Sequence, residues 1–272
     1  MKKHLSSIIS ISVFLIGLSL LLYPSVSNYW NSFHSSKAIA GYAEEARNLD
    51  QEKYQQMWND AVAFNATLQT NANKYRLTDE QAAAYYNLLD VGKTGIMGYI
   101  EIPCLDVELP IYHGTSEAVL QIAVGHLEWT SLPTGGKGTH CVLSGHRGLP
   151  SAKLFTHLDK LSEGDVFMLR ILDEVLTYEV DQILIVKPHK AEDLHIVSGE
   201  DYCTLVTCTP YGVNSHRLLV RGHRIENEVA AKIIHVTSDA VQIEPVLVAP
   251  ALAAPLLLIL FISVLLPKRR SR

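Results

Sequence analysis

Three residues, each at the edge of an apolar run with β-strand composition, make up the set in this chain best suited to covalent chemistry. Cys208 closes Thr204-Leu-Val-Thr-Cys208 and is followed at once by Thr209-Pro210-Tyr-Gly. Pro210 has no N–H to give to a ladder, so the strand ends there and presents the thiol at a fixed lip. Taken alone, such a cysteine reads as a buried core thiol, the commonest fate of a free Cys. His146 alters that reading, because Ser144-Gly-His-Arg-Gly148 puts an imidazole just past another apolar strand, with glycines letting backbone approach closely. Arg217 opens Arg217-Leu-Leu-Val-Arg-Gly222, and the short loop from Pro210 to Ser215 predicts a hairpin that returns it to Cys208. Together the three suffice for acyl transfer. The cation favours thiolate, the imidazole moves the proton, and the guanidinium stabilises negative charge on an acyl oxygen.

Other groups that titrate or ligate fit structural roles. Among the 12 histidines, His113, His126, His140, His216 and His223 read on their own as satisfied core or surface groups. No HExxH or comparable spacing is present, so neither a metal nor a cofactor is expected. Cys104, Cys141 and Cys203 contain no CxxC pair and lie in apolar stretches, which predicts buried free thiols rather than a disulfide framework.

Positioning these residues requires a β scaffold, and the chain supplies one only after its first third. Residues 37 to 69 predict helix, with Ile39, Tyr42, Ala46 and Leu49 on one apolar face and Met57, Ala61, Phe64 and Leu68 resuming it. A polar patch from Asn71 to Thr78 precedes a second helical segment, Asp79 to Leu89. From Met97 onward the composition shifts to short β-branched runs punctuated by Gly and Pro, the pattern of a barrel or sandwich. The predicted strands are Met97 to Ile102, Val107 to Tyr112, Thr139 to Ser144, Val166 to Leu172, Leu176 to Val186, Cys203 to Cys208 and Arg217 to Arg221. A turn or two of helix around Ser116 to Ala123 separates the second from the third.

Charge and hydropathy divide the chain further. Of 272 residues, 48% are hydrophobic and 19% charged, which excludes a disordered chain, a collagen and a small disulfide scaffold. No acidic residue falls in 1–23 or 246–272, whereas residues 24–245 carry 17 basic against 28 acidic side chains. A middle with a net charge of −11 excludes a nucleic-acid-binding surface as its main function. The basic ends flank two apolar runs, 8–23 and 246–266, and the second is 21 residues without a charge, long enough to cross a bilayer. By the positive-inside rule both termini are expected in the cytoplasm and the middle outside the membrane. The first run reads as an uncleaved anchor in preference to a signal peptide. The expected division is 1–23 anchor, 24–94 helical region, 95–230 β region bearing the three chemical residues, 231–245 linker, 246–266 second span and 267–272 basic tail.

At the chemical residues the chain resembles a known family. Thr204-Leu-Val-Thr-Cys208, the Leu-Ser-Gly-His146-Arg-Gly segment and His216-Arg-Leu-Leu-Val-Arg-Gly look like a sortase. The longer strings Gly98-Tyr-Ile-Glu-Ile-Pro103, Leu109-Pro-Ile-Tyr-His-Gly-Thr115 and Cys208-Thr-Pro-Tyr-Gly212 are similar to the pilus-building class C sortases of Gram-positive bacteria. The resemblance covers about residues 37 to 225. It implies a mostly β protein, a closed eight-stranded barrel preceded by helices and flanked by two transmembrane helices. It also implies a transpeptidase that cleaves an LPxTG-like sorting signal and transfers it to a pilin lysine, with pilin subunits and the lipid bilayer as partners. The roles it implies are nucleophile for Cys208, general acid/base for His146 and substrate or oxyanion contact for Arg217, and Thr207, Thr209 and His126 are the candidate substrate contacts. Class C members usually carry an Asp-Pro-aromatic lid. The best local candidate is Thr78-Asp79-Glu80-Gln81, where Asp79 is available to pair with Arg217, or to cap its own helix, but Pro and the ring are absent. An exported cysteine hydrolase and a non-catalytic membrane-tethered assembly module are the alternatives. The latter predicts loss of one of Cys208, His146 and Arg217, and all three are present.

Overall fold

The computed structural model describes residues 2–71, 74–227 and Pro255. The expected second span at 246–266, the linker before it and the basic tail lie outside the described residues, apart from Pro255.

Eight strands close into a barrel in the order β1-β2-β3-β4-β7-β8-β6-β5. They are β1 Ile96–Ile102, β2 Val107–His113, β3 Val124–His126, β4 Thr139–Ser144, β5 Val166–Ile171, β6 Glu174–Val186, β7 Asp201–Thr209 and β8 His216–Ile225. Seven match the predicted runs to within a few residues. β3 was not predicted: three residues are too few to display an alternating pattern, and it exists because Ile111, Tyr112 and His113 of β2 pair with it in parallel. Alternation then decides which side chains fill the lumen. Ile100, Ile102, Ile111, Val124, Leu143, Phe167, Leu169, Leu205 and Val220 are buried in one continuous core, and polar partners along the same strands face outward. Cys141 and Cys203 are buried free thiols on register-paired positions of β4 and β7. Cys104 is also free but lies in a 3-10 turn, Pro103–Leu105, rather than in a strand.

Strand polarity defines two ends of this barrel. β7 runs parallel to β4, β4 antiparallel to β3, and β3 parallel to β2. The finish of β7, where Cys208 sits, therefore shares an end with the start of β2, and the finish of β2 lies at the other.

The helices that precede β1 pack against the barrel, the first of them along β1 and β2. The expected helix over 37–69 is two helices, because α1 (Lys2–Arg47) breaks at Asn48–Asp50 and α2 (Gln51–Gln69) restarts with Asp50 as its N-cap, its side chain accepting from Lys53 N at 2.8 Å. α1 is one helix from the apolar N-terminal run onward and is long and apolar enough, over Ile9–Arg47, to cross a membrane. Pro24 falls inside it. α3 (Asp79–Tyr85) is shorter than expected, and turns and bends lead from it into β1.

Candidate active site

β7 alternates so that Cys203, Leu205 and Thr207 are buried while Val206 and Cys208 are half-buried on the outer face. Across the antiparallel β7–β8 ladder Cys208 is paired directly with Arg217, as the predicted hairpin required. Directly opposed residues share a face of the sheet, so thiol and guanidinium project from the same patch of the barrel's outer surface. Arg217 is also the register partner of Val186, the last residue of β6.

His146 reaches the same place from β4. Ser144 pairs with Val206, the Gly145 N–H donates to Val206 O at 3.0 Å, and the Thr207 hydroxyl donates to Gly145 O at 2.7 Å. These links carry the β4 register one step past the strand, and extending that register puts the next residue, His146, at the level of Cys208. Only glycine fits at 145, since a Cβ there would meet the Phe155 ring at 2.7 Å. The His146 Nε2 is buried and, among the described residues, has no hydrogen-bond partner; the Glu117 carboxylate stands 4.0 Å from it. A buried ring nitrogen without a partner is uncommon enough to need a reason.

Arg217 is nearly unengaged. Among the described residues its Nη1 donates only to two nearby backbone carbonyls, Asn214 O at 3.4 Å and His216 O at 3.1 Å, and it forms no ion pair. Arg221, four residues on, is held by both oxygens of Asp181 at 2.9 and 3.0 Å and lies 4.2 Å from the Tyr202 ring centroid. One strand thus carries a structural arginine and an available one.

The structure redirects the other expected site residues. His126 is fully buried: its Nε2 donates to Ser131 O at 2.9 Å, and its Nδ1 accepts from the Tyr85 hydroxyl at 2.8 Å. Both ring nitrogens are used inside the core, leaving none for a substrate. Thr207 faces the lumen and is spent on Gly145, and Thr209 is buried and accepts from Arg147 Nη1 at 3.3 Å. Both threonines are buried and brace the ends of strands. Asp79 is exposed in the first turn of α3, where Thr78 rather than Asp79 is the N-cap, in a capping box with Gln81. It makes no ion pair with Arg217, because α3 belongs to the other end of the barrel. Tyr85 carries that helix into the core, where its oxygen accepts from the Gly114 N–H, just past β2, at 3.0 Å. His113, the last residue of β2, binds Leu88 O through Nε2 at 2.7 Å.

Arg147 is a residue whose role was not legible in the sequence. It joins Thr209 to Asp159 and lies 5.9 Å from the Tyr211 ring, so it ties the chain leaving Cys208 to the loop that follows His146. Its position beside His146 was the only local signal.

Comparison with known proteins agrees with this geometry. The family model described as the sortase domain matches residues 100–225. Sortase C1 from Streptococcus agalactiae is 53% identical with a TM-score of 0.68, over 70% of this chain and 99% of that one. The Streptococcus pneumoniae sortase C structure, described for catalysis and pilin substrate specificity, is 48% identical with a TM-score of 0.64, over 70% and 97%. Clostridium perfringens sortase C, solved with the C-terminal cell wall sorting motif, is 43% identical with a TM-score of 0.63, over 71% and 100%.

Proposed function

Because this chain belongs to the sortase family of cysteine transpeptidases, with class C enzymes among its solved neighbours, we propose that it polymerises pilins through a thioester on Cys208. Cys208 Sγ attacks the threonine carbonyl of an LPxTG-like signal, and the tetrahedral oxyanion is met by the Arg217 guanidinium. The Thr–Gly bond breaks as His146 gives its proton to the leaving glycine amine. A pilin lysine amine then attacks the thioester, His146 takes the amine's proton, and an amide forms as the Cys208 thiolate is released, which restores the thiolate and imidazolium that began the cycle. The observation that carries the reading is the convergence of three strand ends: the Cys208–Arg217 register pair and the Gly145 links whose register puts His146, with its unpartnered imidazole nitrogen, at the same level. The Clostridium perfringens neighbour was solved with a sorting motif, and the Streptococcus pneumoniae neighbour is described in terms of pilin substrates, which supports the choice of donor and acceptor. The apolar part of α1 would anchor the enzyme with its barrel outside the membrane, and the second apolar run at 246–266 would return the C-terminus to the cytoplasm.

Intact-mass measurement after incubation with a sorting peptide, with and without a pilin subunit, tests this. The expected results are a thioester adduct that only pilin resolves into an amide-linked product, and no adduct on Cys208→Ala. An adduct on that variant, or loss of the adduct no faster with pilin than without, overturns the assignment.

A further inference from the structure

α1 runs along the barrel from one end to the other. At Tyr42 its hydroxyl donates to Met97 O at 2.9 Å and accepts from the Leu172 N–H at 2.8 Å, both at the end far from Cys208. Eleven residues earlier, about 16 Å along a helix, the Asn31 amide donates to Ser151 O at 2.7 Å, and Asn28 Oδ1 accepts from the Lys153 N–H at 3.0 Å. Ser151 and Lys153 belong to the loop that follows His146. The N-terminal continuation of α1 therefore leaves the barrel at the end that carries Cys208.

The two faces of α1 at that level are inverted relative to a helix in water. Asn28, Asn31, Ser32 and Ser35 recur at helical spacing and, with Leu105 and Ala152, line a cavity of about 310 Å³ against the barrel. Tyr29, Trp30 and Phe33, on the remaining surface, are exposed. A soluble helix buries its aromatic stripe and shows its polar one. Aromatic side chains facing outward on a helix that continues into an apolar run match the interfacial belt of a membrane segment. The belt spans Tyr23 to Phe33 and overlaps the residues that grip the barrel. At the same end, the loop after Cys208 projects Tyr211 and Val213, which are 60% and 70% exposed.

We propose that the end of the barrel bearing Cys208 rests on the lipid bilayer at headgroup depth, with the Pro210–Ser215 loop touching lipid. The inference rests on the anchoring role proposed for α1 and adds to it an orientation: the Asn28 and Asn31 hydrogen bonds hold the barrel mouth-down rather than swinging on a tether. Tyr211 and Val213 supply the apolar tip that such a contact needs.

The test uses the full chain in nanodiscs of phosphatidylglycerol and phosphatidylethanolamine doped with a headgroup nitroxide lipid. In a Cys104→Ser, Cys208→Ala background, a fluorophore is placed by Val213→Cys or by Asp173→Cys, the latter exposed at the opposite end between β5 and β6. With the ends about 16 Å apart along α1, the label at 213 is expected to be quenched at least about threefold more strongly than the label at 173. Equal quenching, no quenching at 213, or stronger quenching at 173 overturns the orientation while leaving the anchor intact. A chain that fails to enter the nanodiscs overturns both, and neither result bears on thioester formation, which is read separately by mass. Both substitutions sit at exposed loop positions, and retained thermal melting of each labelled protein shows that the barrel is folded.

Discussion

Replacing Arg217 and Arg221 by alanine in turn should separate catalysis from stability on one strand. Arg217 gives up only hydrogen bonds to the nearby backbone carbonyls Asn214 O and His216 O, at 3.4 and 3.1 Å. Its loss should alter stability by no more than about 0.5–1 kcal/mol. If it meets the acyl oxyanion, acylation should slow by about 10²–10³, equivalent to ~2.7–4 kcal/mol at the transition state. Arg221 has the opposite profile. It makes a two-point contact with Asp181, both side chains about one-fifth exposed, and stacks over Tyr202. Discounting for partial screening, that set is worth about 2 kcal/mol. At roughly 2–4 °C per kcal/mol for a domain of this size, Arg221→Ala should lower Tm by about 4–8 °C. Its acylation rate, measured below the melting range, should stay within about threefold of the parent. The assay is thermal melting alongside single-turnover adduct formation followed by mass. Slower acylation in Arg221→Ala than in Arg217→Ala would refute the division, as would a matching loss of Tm in Arg217→Ala. Arg217→Lys should recover only part of the rate, because an ammonium lacks the planar fork.

Tyr85→Phe removes a hydroxyl that satisfies His126 Nδ1 and the Gly114 N–H inside the core, and should destabilise by about 2–4 kcal/mol, read from urea midpoints. His140 is held down to about 4 by burial, with Nδ1 donating to His195 O at 2.9 Å and Nε2 accepting from Thr204 at 2.7 Å. Its folded pKa thus lies below the unfolded value near ~6.5, so stability is complete above that pH and declines as pH falls toward 4. The decline should reach about 3 kcal/mol, and His140→Gln should flatten it; an unchanged pH profile in that variant would count against the assignment. Asp79→Ala should change the rate at which a thiol reagent modifies Cys208 by less than about twofold, since α3 packs at the far end. Burial, reinforced by the charge of Asp165, pushes the Cys104 thiol up to about 11, which keeps it a slow competitor in that measurement.

Much of this protein was settled by residues close together in sequence. Pro210 ends β7 beside Cys208, the spacing to Arg217 suits a hairpin, and strand alternation separates lumen from surface, so seven strands and the converging thiol, imidazole and guanidinium were legible before any coordinates. Such signals arise from backbone sterics and from periods of two or 3.6 residues, which act within a few positions. Other features depended on contacts between distant segments. β3 is too short for a pattern and exists through its pairing with β2. His126, Thr207 and Thr209 were legible as polar groups near the motif, but only packing shows their hydrogen bonds consumed by Ser131, Tyr85, Gly145 and Arg147. The capping signal at Thr78-Asp79-Glu80-Gln81 specifies a helix start equally well at either end of a barrel, and it was Tyr85, burying its ring among His113, His126 and Phe64, that drew α3 away from Cys208. The direction of α1 was decided in the same way, since an apolar run shows that a helix can enter a bilayer, whereas hydrogen bonds from Asn28, Asn31 and Tyr42 to strands and loops more than fifty residues away determine which end of the barrel it leaves from.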